Sequence, residues 1–191
     1  ISIDFPENIK KLSSENLAQM GQTYLNELPA MSNEFSFATD KMPGNFRLIG
    51  LIRLILPNAK VIHCRRSPLD TCFSCYSIHF PYGQNFTYDL KELGQYYRNY
   101  YELMKAWRSV LGDWFLEIDY ETLVEKPEAE TQKLLAFCGL EWEKECLEFH
   151  KTKRQVRTAS IEQVRQPINN KSIGAWKKYE SHLQELVESF K

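Results

Sequence analysis

The segment Lys60-Val61-Ile62-His63-Cys64-Arg65-Arg66-Ser67-Pro68-Leu69-Asp70 constrains the fold more than any other stretch of the chain. Pro57-Asn58 ends whatever precedes it, and Lys60 to Cys64 is short, apolar and partly β-branched, as a buried parallel strand requires. The strand runs straight into two arginines. Pro68 and Asp70 then mark a helix start, since proline suits a first turn that needs no N–H and an acid suits its positive end. A strand that delivers a basic turn to a helix N-terminus aims unpaired N–H groups and a guanidinium fork at one point, which suits an anion.

The rest of the chain reads as strands alternating with helices. Ser13-Ser14-Glu15 opens a helix to about Leu28, with Leu17, Met20, Tyr24 and Leu28 at helical spacing, and Pro29 interrupts it. Phe35-Ser36-Phe37-Ala38-Thr39 alternates as a strand ending at Asp40 and Lys41, and the apolar run Asn45 to Leu56 reads as a helix packed on a sheet. Ser74 falls on the first or second turn of the helix after Pro68, facing back toward Arg66. An aromatic, glycine-containing loop covers Phe80 to Thr87. The longest helical pattern runs from Tyr88 to Leu111, its aromatic stripe best explained as core. Trp114 to Ile118 is a second central strand, and Lys126-Pro127-Glu128 begins a helix that Cys138-Gly139 ends. A short helix near Glu143 to Phe149, a basic irregular section, and an amphipathic helix over Lys177 to Phe190 complete the chain. This alternation predicts an α/β layered fold, and without repeats or low-complexity linkers one domain over 1–191 is the simplest account.

Composition supports a packed core rather than a disordered segment: of 191 residues 43% are hydrophobic and 13% aromatic. Basic and acidic residues number 24 and 25, a balance that argues against a general nucleic-acid coat or a polybasic membrane surface. Charge is nonetheless segregated. Between His150 and Lys178 eight basic residues face only Glu162, whereas Asp113 to Glu148 holds eleven acids and three bases. The five cysteines, odd in number and irregular in spacing, do not describe a secreted disulfide scaffold; buried reduced thiols and a cytoplasmic, reducing compartment are expected. The Cys72–Cys75 pair lacks the second pair of a zinc site, the histidines are scattered, and no metal is expected. No run approaches the roughly 20 apolar residues of a membrane span. The chain begins with Ile1 and reads as a piece of something longer.

Three separated features fit one anion site: Arg66 with Ser74, Lys41 beside Pro43-Gly44, and a basic loop holding Ser160, Arg165, Lys171, Ser172 and Trp176. In these places the chain resembles the bacterial-type PAPS-dependent sulfotransferases, often attached to tetratricopeptide repeats, and more distantly the tyrosylprotein sulfotransferases. The matching stretches are Thr39 to Phe46, Pro57 to Cys72, Asp119 to Val124, Arg157 to Ile168 and Ser172 to Trp176. The resemblance implies a three-layer, P-loop NTPase-like parallel sheet flanked by helices, with PAPS as sulfuryl donor, PAP as product and no metal.

By the same resemblance Arg66 and Ser74 match the pair that holds the 3′-phosphate, and Tyr120 a tyrosine near the nucleotide. Lys41 matches a lysine close to the transferring group and Ser160 a serine that assists there. Lys171, Ser172 and Trp176 fall in the segment that closes over the cofactor. The chemistry suits those residue types, because sulfuryl transfer needs an aligned acceptor and fixed donors where negative charge grows. Alternatives stay open at single positions. Arg65 is equally a surface ion-pair partner or a ligand, Tyr120 is also a candidate core aromatic, and Asp70 fits a helix start better than a proton acceptor.

The family's Pro-Arg-Ser-Gly-Thr-like loop, its strand and the general base that follows are not found before Lys41, so the chain reads as the C-terminal portion of a domain lacking its first strand. Upstream polypeptide would complete it. Two functions follow: transfer of a sulfuryl group from PAPS to a hydroxyl or amine of an acceptor, small molecule or protein, that the sequence does not identify; or a noncatalytic nucleotide-binding or interaction module on the same scaffold.

Overall fold

Residues 6–28, 37–152 and 163–190 are described by the computed structural model, and the chain divides into two units, Ile1–Ala59 and Lys60–Lys191. In the first unit, helix α1 (Ser14–Glu27) begins where the sequence predicts. Ser13 Oγ accepts the Asn16 N–H at 3.1 Å while Asn16 Oδ1 accepts the Ser13 N–H at 3.2 Å, so two orphan donors of the first turn are satisfied reciprocally. A 3₁₀ turn at Pro43–Leu48 leads into α2 (Ile49–Ile55), which packs on α1. Their approach is close enough that a Cβ on Gly21 would stand 2.0 Å from the Ile55 carbonyl oxygen.

The strand expected to end at Lys41 is not seen in its described part. Phe37 to Lys41 is irregular, and Phe37 is exposed. A strand needs a neighbour to take its N–H and C=O groups, and the described residues of this unit hold no other strand. Side chains fix the segment instead: Tyr24 donates its hydroxyl proton to Asp40 Oδ2 at 2.7 Å, and the neighbouring carboxylate pushes the Tyr24 phenol above its ordinary pKa.

The second unit carries a mixed α/β arrangement, a small parallel sheet flanked by helices. Strand β1 (Val61–Arg65) pairs in parallel with β2 (Phe115–Asp119), with His63 opposite Glu117 and Arg65 opposite Asp119. Between them run α3 (Pro68–Tyr76) and α4 (Leu90–Leu111), and beyond β2 come α5 (Tyr120–Glu125) and α6 (Pro127–Cys138). Caps agree with the residue types. Asp89 accepts the N–H groups of Lys91 and Glu92 to start α4, and Gly139, at φ +70°, ends α6 in the left-handed conformation that glycine adopts without strain.

Burial departs from expectation. Phe115 and Ile118 of β2 are fully buried, but β1 is not the buried strand its composition suggests: Ile62 and Cys64 lie on an exposed face. Pairing with β2 satisfies one edge of β1, and among the described residues no further strand lies beside it. The five thiols are free, yet only Cys72 is buried, while Cys64 and Cys146 are exposed. The final helix is also broken, into a 3₁₀ segment (Ala175–His182) and α7 (Gln184–Glu188). Leu183 between them leaves helical geometry (φ −114°, ψ 21°), and its side chain is buried. Leu186 of α7 completes a core with Cys72 and Leu93, binding α3, α4 and α7 together.

Candidate functional site

Arg65, which ends β1, and Arg66, which opens the turn after it, go to opposite fates. Alternation along the strand puts Arg65 on the same face as His63, and its guanidinium grips Asp119 on β2 through Nε and Nη2, both at 2.9 Å. Arg65 is therefore the ion-pair partner. Arg66 turns the other way, its guanidinium over the Tyr120 ring, 5.2 Å from the centroid. Arg66 Nη2 donates to the Ser172 carbonyl at 2.5 Å, and the Tyr120 and Ser172 hydroxyls share a hydrogen bond at 2.9 Å. Tyr97 from α4 donates to the Arg66 carbonyl at 3.3 Å, and the Ser67 N–H donates to Glu121 at 2.8 Å, so the turn is held from both sides. Arg66 Nε is buried and meets no acceptor among the described residues.

Three of the residues singled out in the sequence thus converge across separations of 52 and 106 positions. Ser74 lies on the helix that follows the turn and is half-buried; its carbonyl accepts from Ser77 Oγ at 3.1 Å. The Arg66 charge is felt at the next residue, where it opposes the burial that pushes the Cys75 thiol up. Lys171 is exposed, its N–H bonded to Asn169 Oδ1. Trp176 is half-buried and reaches Asp70 through its backbone. Lys41 belongs to the first unit, where it is exposed beside Asp40. Ser160 lies outside the described residues.

Two groups were not legible as partners in the sequence. Asp70, read there as a helix-start acid, is buried and accepts the N–H groups of Gly174 at 2.7 Å and Trp176 at 3.3 Å. On the sheet face toward α4, His63 Nδ1 lies 3.1 Å from Glu117 Oε1 and Nε2 lies 2.5 Å from the Tyr100 hydroxyl. A carboxylate only accepts, so Nδ1 carries the proton toward Glu117 and Nε2 accepts from Tyr100. Burial lowers the His63 pKa, which keeps the ring neutral, and raises that of Tyr100 to about 12. These groups line a cavity of about 440 Å³ together with Arg65, Tyr97 and Arg108. The available signal was His63 and Arg65 at strand spacing facing Glu117 and Asp119 at the same spacing, but it appears only once the register of the two strands is known.

Among the described residues, no group of three His, Cys, Asp or Glu is placed to hold a metal ion, and no helix is long and apolar enough to cross a membrane. Residues 4–144 match the model of the sulfotransferase family. The chain belongs to that family. This sulfotransferase-family chain is also 38% identical, over 188 residues, to an uncharacterized protein of Aquifex aeolicus (strain VF5). That alignment covers 97% of the chain but 25% of the relative, so the chain spans about a quarter of the length of the curated relative it matches.

Proposed function

We propose that the chain is the C-terminal portion of a single PAPS-dependent sulfotransferase domain of the bacterial type, its sheet part of a P-loop NTPase-like sheet. In this reading the domain transfers a sulfuryl group from PAPS to a hydroxyl or amine, releasing PAP. One observation carries it: the Arg66 guanidinium is fixed by Tyr120 and Ser172, yet keeps a buried Nε–H that meets no acceptor among the described residues. A buried donor left unpaired costs about 1–3 kcal/mol, and a phosphate oxygen would remove that cost with a charge-assisted bond.

Arg66 would hold the 3′-phosphate with Ser74 from the following helix, while Tyr120, Lys171, Ser172 and Trp176 enclose the nucleotide. PAPS supplies the sulfuryl group already activated as a mixed anhydride with phosphate. The Lys41 ammonium would offset negative charge growing on the leaving side, and the Ser160 hydroxyl would hold the sulfuryl oxygens. The scheme needs no metal.

Calorimetric titration with PAP tests the reading, with wild type and Arg66→Ala compared. Wild type is expected to bind, and the variant to bind at least about tenfold more weakly, the range for losing a charge-assisted hydrogen bond. Equal affinities would remove Arg66 from the site. PAP binding without PAPS consumption in the presence of a range of phenols and amines would favour the noncatalytic module.

A further inference from the structure

Asp70 is 2% exposed, and its carboxylate has to be met by donors. They come from a segment more than one hundred residues away: Gly174 N–H donates to Oδ2 at 2.7 Å and Trp176 N–H to Oδ1 at 3.3 Å. Gly174 sits at φ +70°, a left-handed turn that lets two nearby N–H groups address one carboxylate, and a side chain there would be strained. The same strap meets the Arg66 turn through the Ser172 carbonyl and the start of α5 through the Ser172 hydroxyl, which bonds Tyr120. Downstream, Tyr179 stacks on Phe73 of α3, with ring centroids 5.0 Å apart.

We propose that Asp70 is a positioning residue that latches the strap 172–176 onto the Arg66 turn and so sets how long an anion held there is retained. Among the groups holding the strap, Arg66 and Tyr120 are the ones the proposed function also assigns to the nucleotide. The Asp70 carboxylate meets the strap through backbone N–H groups, so its hold does not depend on ligand contacts. The latch stands on the geometry alone; its effect on retention rests on the sulfotransferase reading.

Asp70→Asn is the discriminating variant. Its carboxamide offers one oxygen and one NH₂ group, so one strap N–H keeps an acceptor while the other faces a donor. Asp70→Ala removes both. Amide hydrogen exchange on the full chain is expected to run about tenfold or more faster over 172–178 in both variants, as loss of a hydrogen bond to a charged group implies. Exchange in β1 and β2 stays at wild-type rates. In stopped-flow measurements PAP leaves the variants faster by a comparable factor, with its association rate unchanged.

Unchanged strap exchange in both variants would overturn the latch. So would loosening that reaches β1 and β2 equally, because Asp70 would then hold the unit rather than the strap. If wild type does not bind PAP, the sulfotransferase reading fails, and the exchange measurement still decides the latch on its own.

Discussion

His63 shows how much one side chain's neighbours decide. Held between Glu117 and Tyr100, it is kept neutral mainly by desolvation, which outweighs the pull of the Glu117 carboxylate in the opposite direction. The folded pKa is therefore below the unfolded value of 6.5. The unfolded chain takes up a proton that the folded one refuses, so this contribution to stability is present above pH 6.5 and is lost as pH falls below it. Melting temperature is expected to drop between pH 7 and pH 5 more steeply in wild type than in His63→Asn, which keeps an N–H for Glu117 but does not titrate. Identical pH profiles would remove His63 as the cause. The sequence places His63 in a strand and Tyr100 on a helix, but nothing in it pairs them. Arg65 has no sequence signal for its partner either, because Asp119 stands opposite it only through strand register.

At the scale of elements, local chemistry predicted starts and stops well. Ser13, Pro68 and Gly139 cap or break helices by short-range hydrogen bonds and backbone preference, which a sequence states directly, whereas the helix expected from Tyr88 starts after its cap at Asp89. What failed depends on neighbours distant in sequence. The alternating stretch Phe35 to Thr39 forms no strand in its described part, β1 is apolar without being buried, and the last helix breaks at Leu183. Gly21 separates local from tertiary effects. Helix propensity alone says Gly21→Ala stabilises α1 by about 1 kcal/mol. Contact with the Ile55 carbonyl, a backbone atom that cannot swing aside, predicts instead a net loss of about 1–3 kcal/mol. A lower urea midpoint in the variant is the expected result, and a higher one would mean that α1 and α2 are not so closely packed.

Across the whole molecule, the assigned residues divide between the units. Arg66, Ser74, Tyr120, Ser172 and Asp70 all belong to 60–191, and Lys41 belongs to 1–59. If the proposed roles hold, Lys41→Ala leaves PAP affinity within about threefold of wild type. It lowers PAPS turnover with an accepting phenol by roughly 10²-fold or more, the usual loss for a group that stabilises transition-state charge. A matching fall in PAP affinity would make Lys41 a binding residue instead. The sequence by itself determined the family-bearing motifs, most element boundaries and the clustering of basic residues toward the C-terminus, because each is written in residue type and short spacing. Tertiary structure alone decided that Arg65 is spent on Asp119, that Asp70 holds a strap from more than one hundred residues away, and that His63 is wedged between Glu117 and Tyr100. Those pairings depend on strand register and chain crossing, which bring together groups whose sequence separation carries no signal of contact.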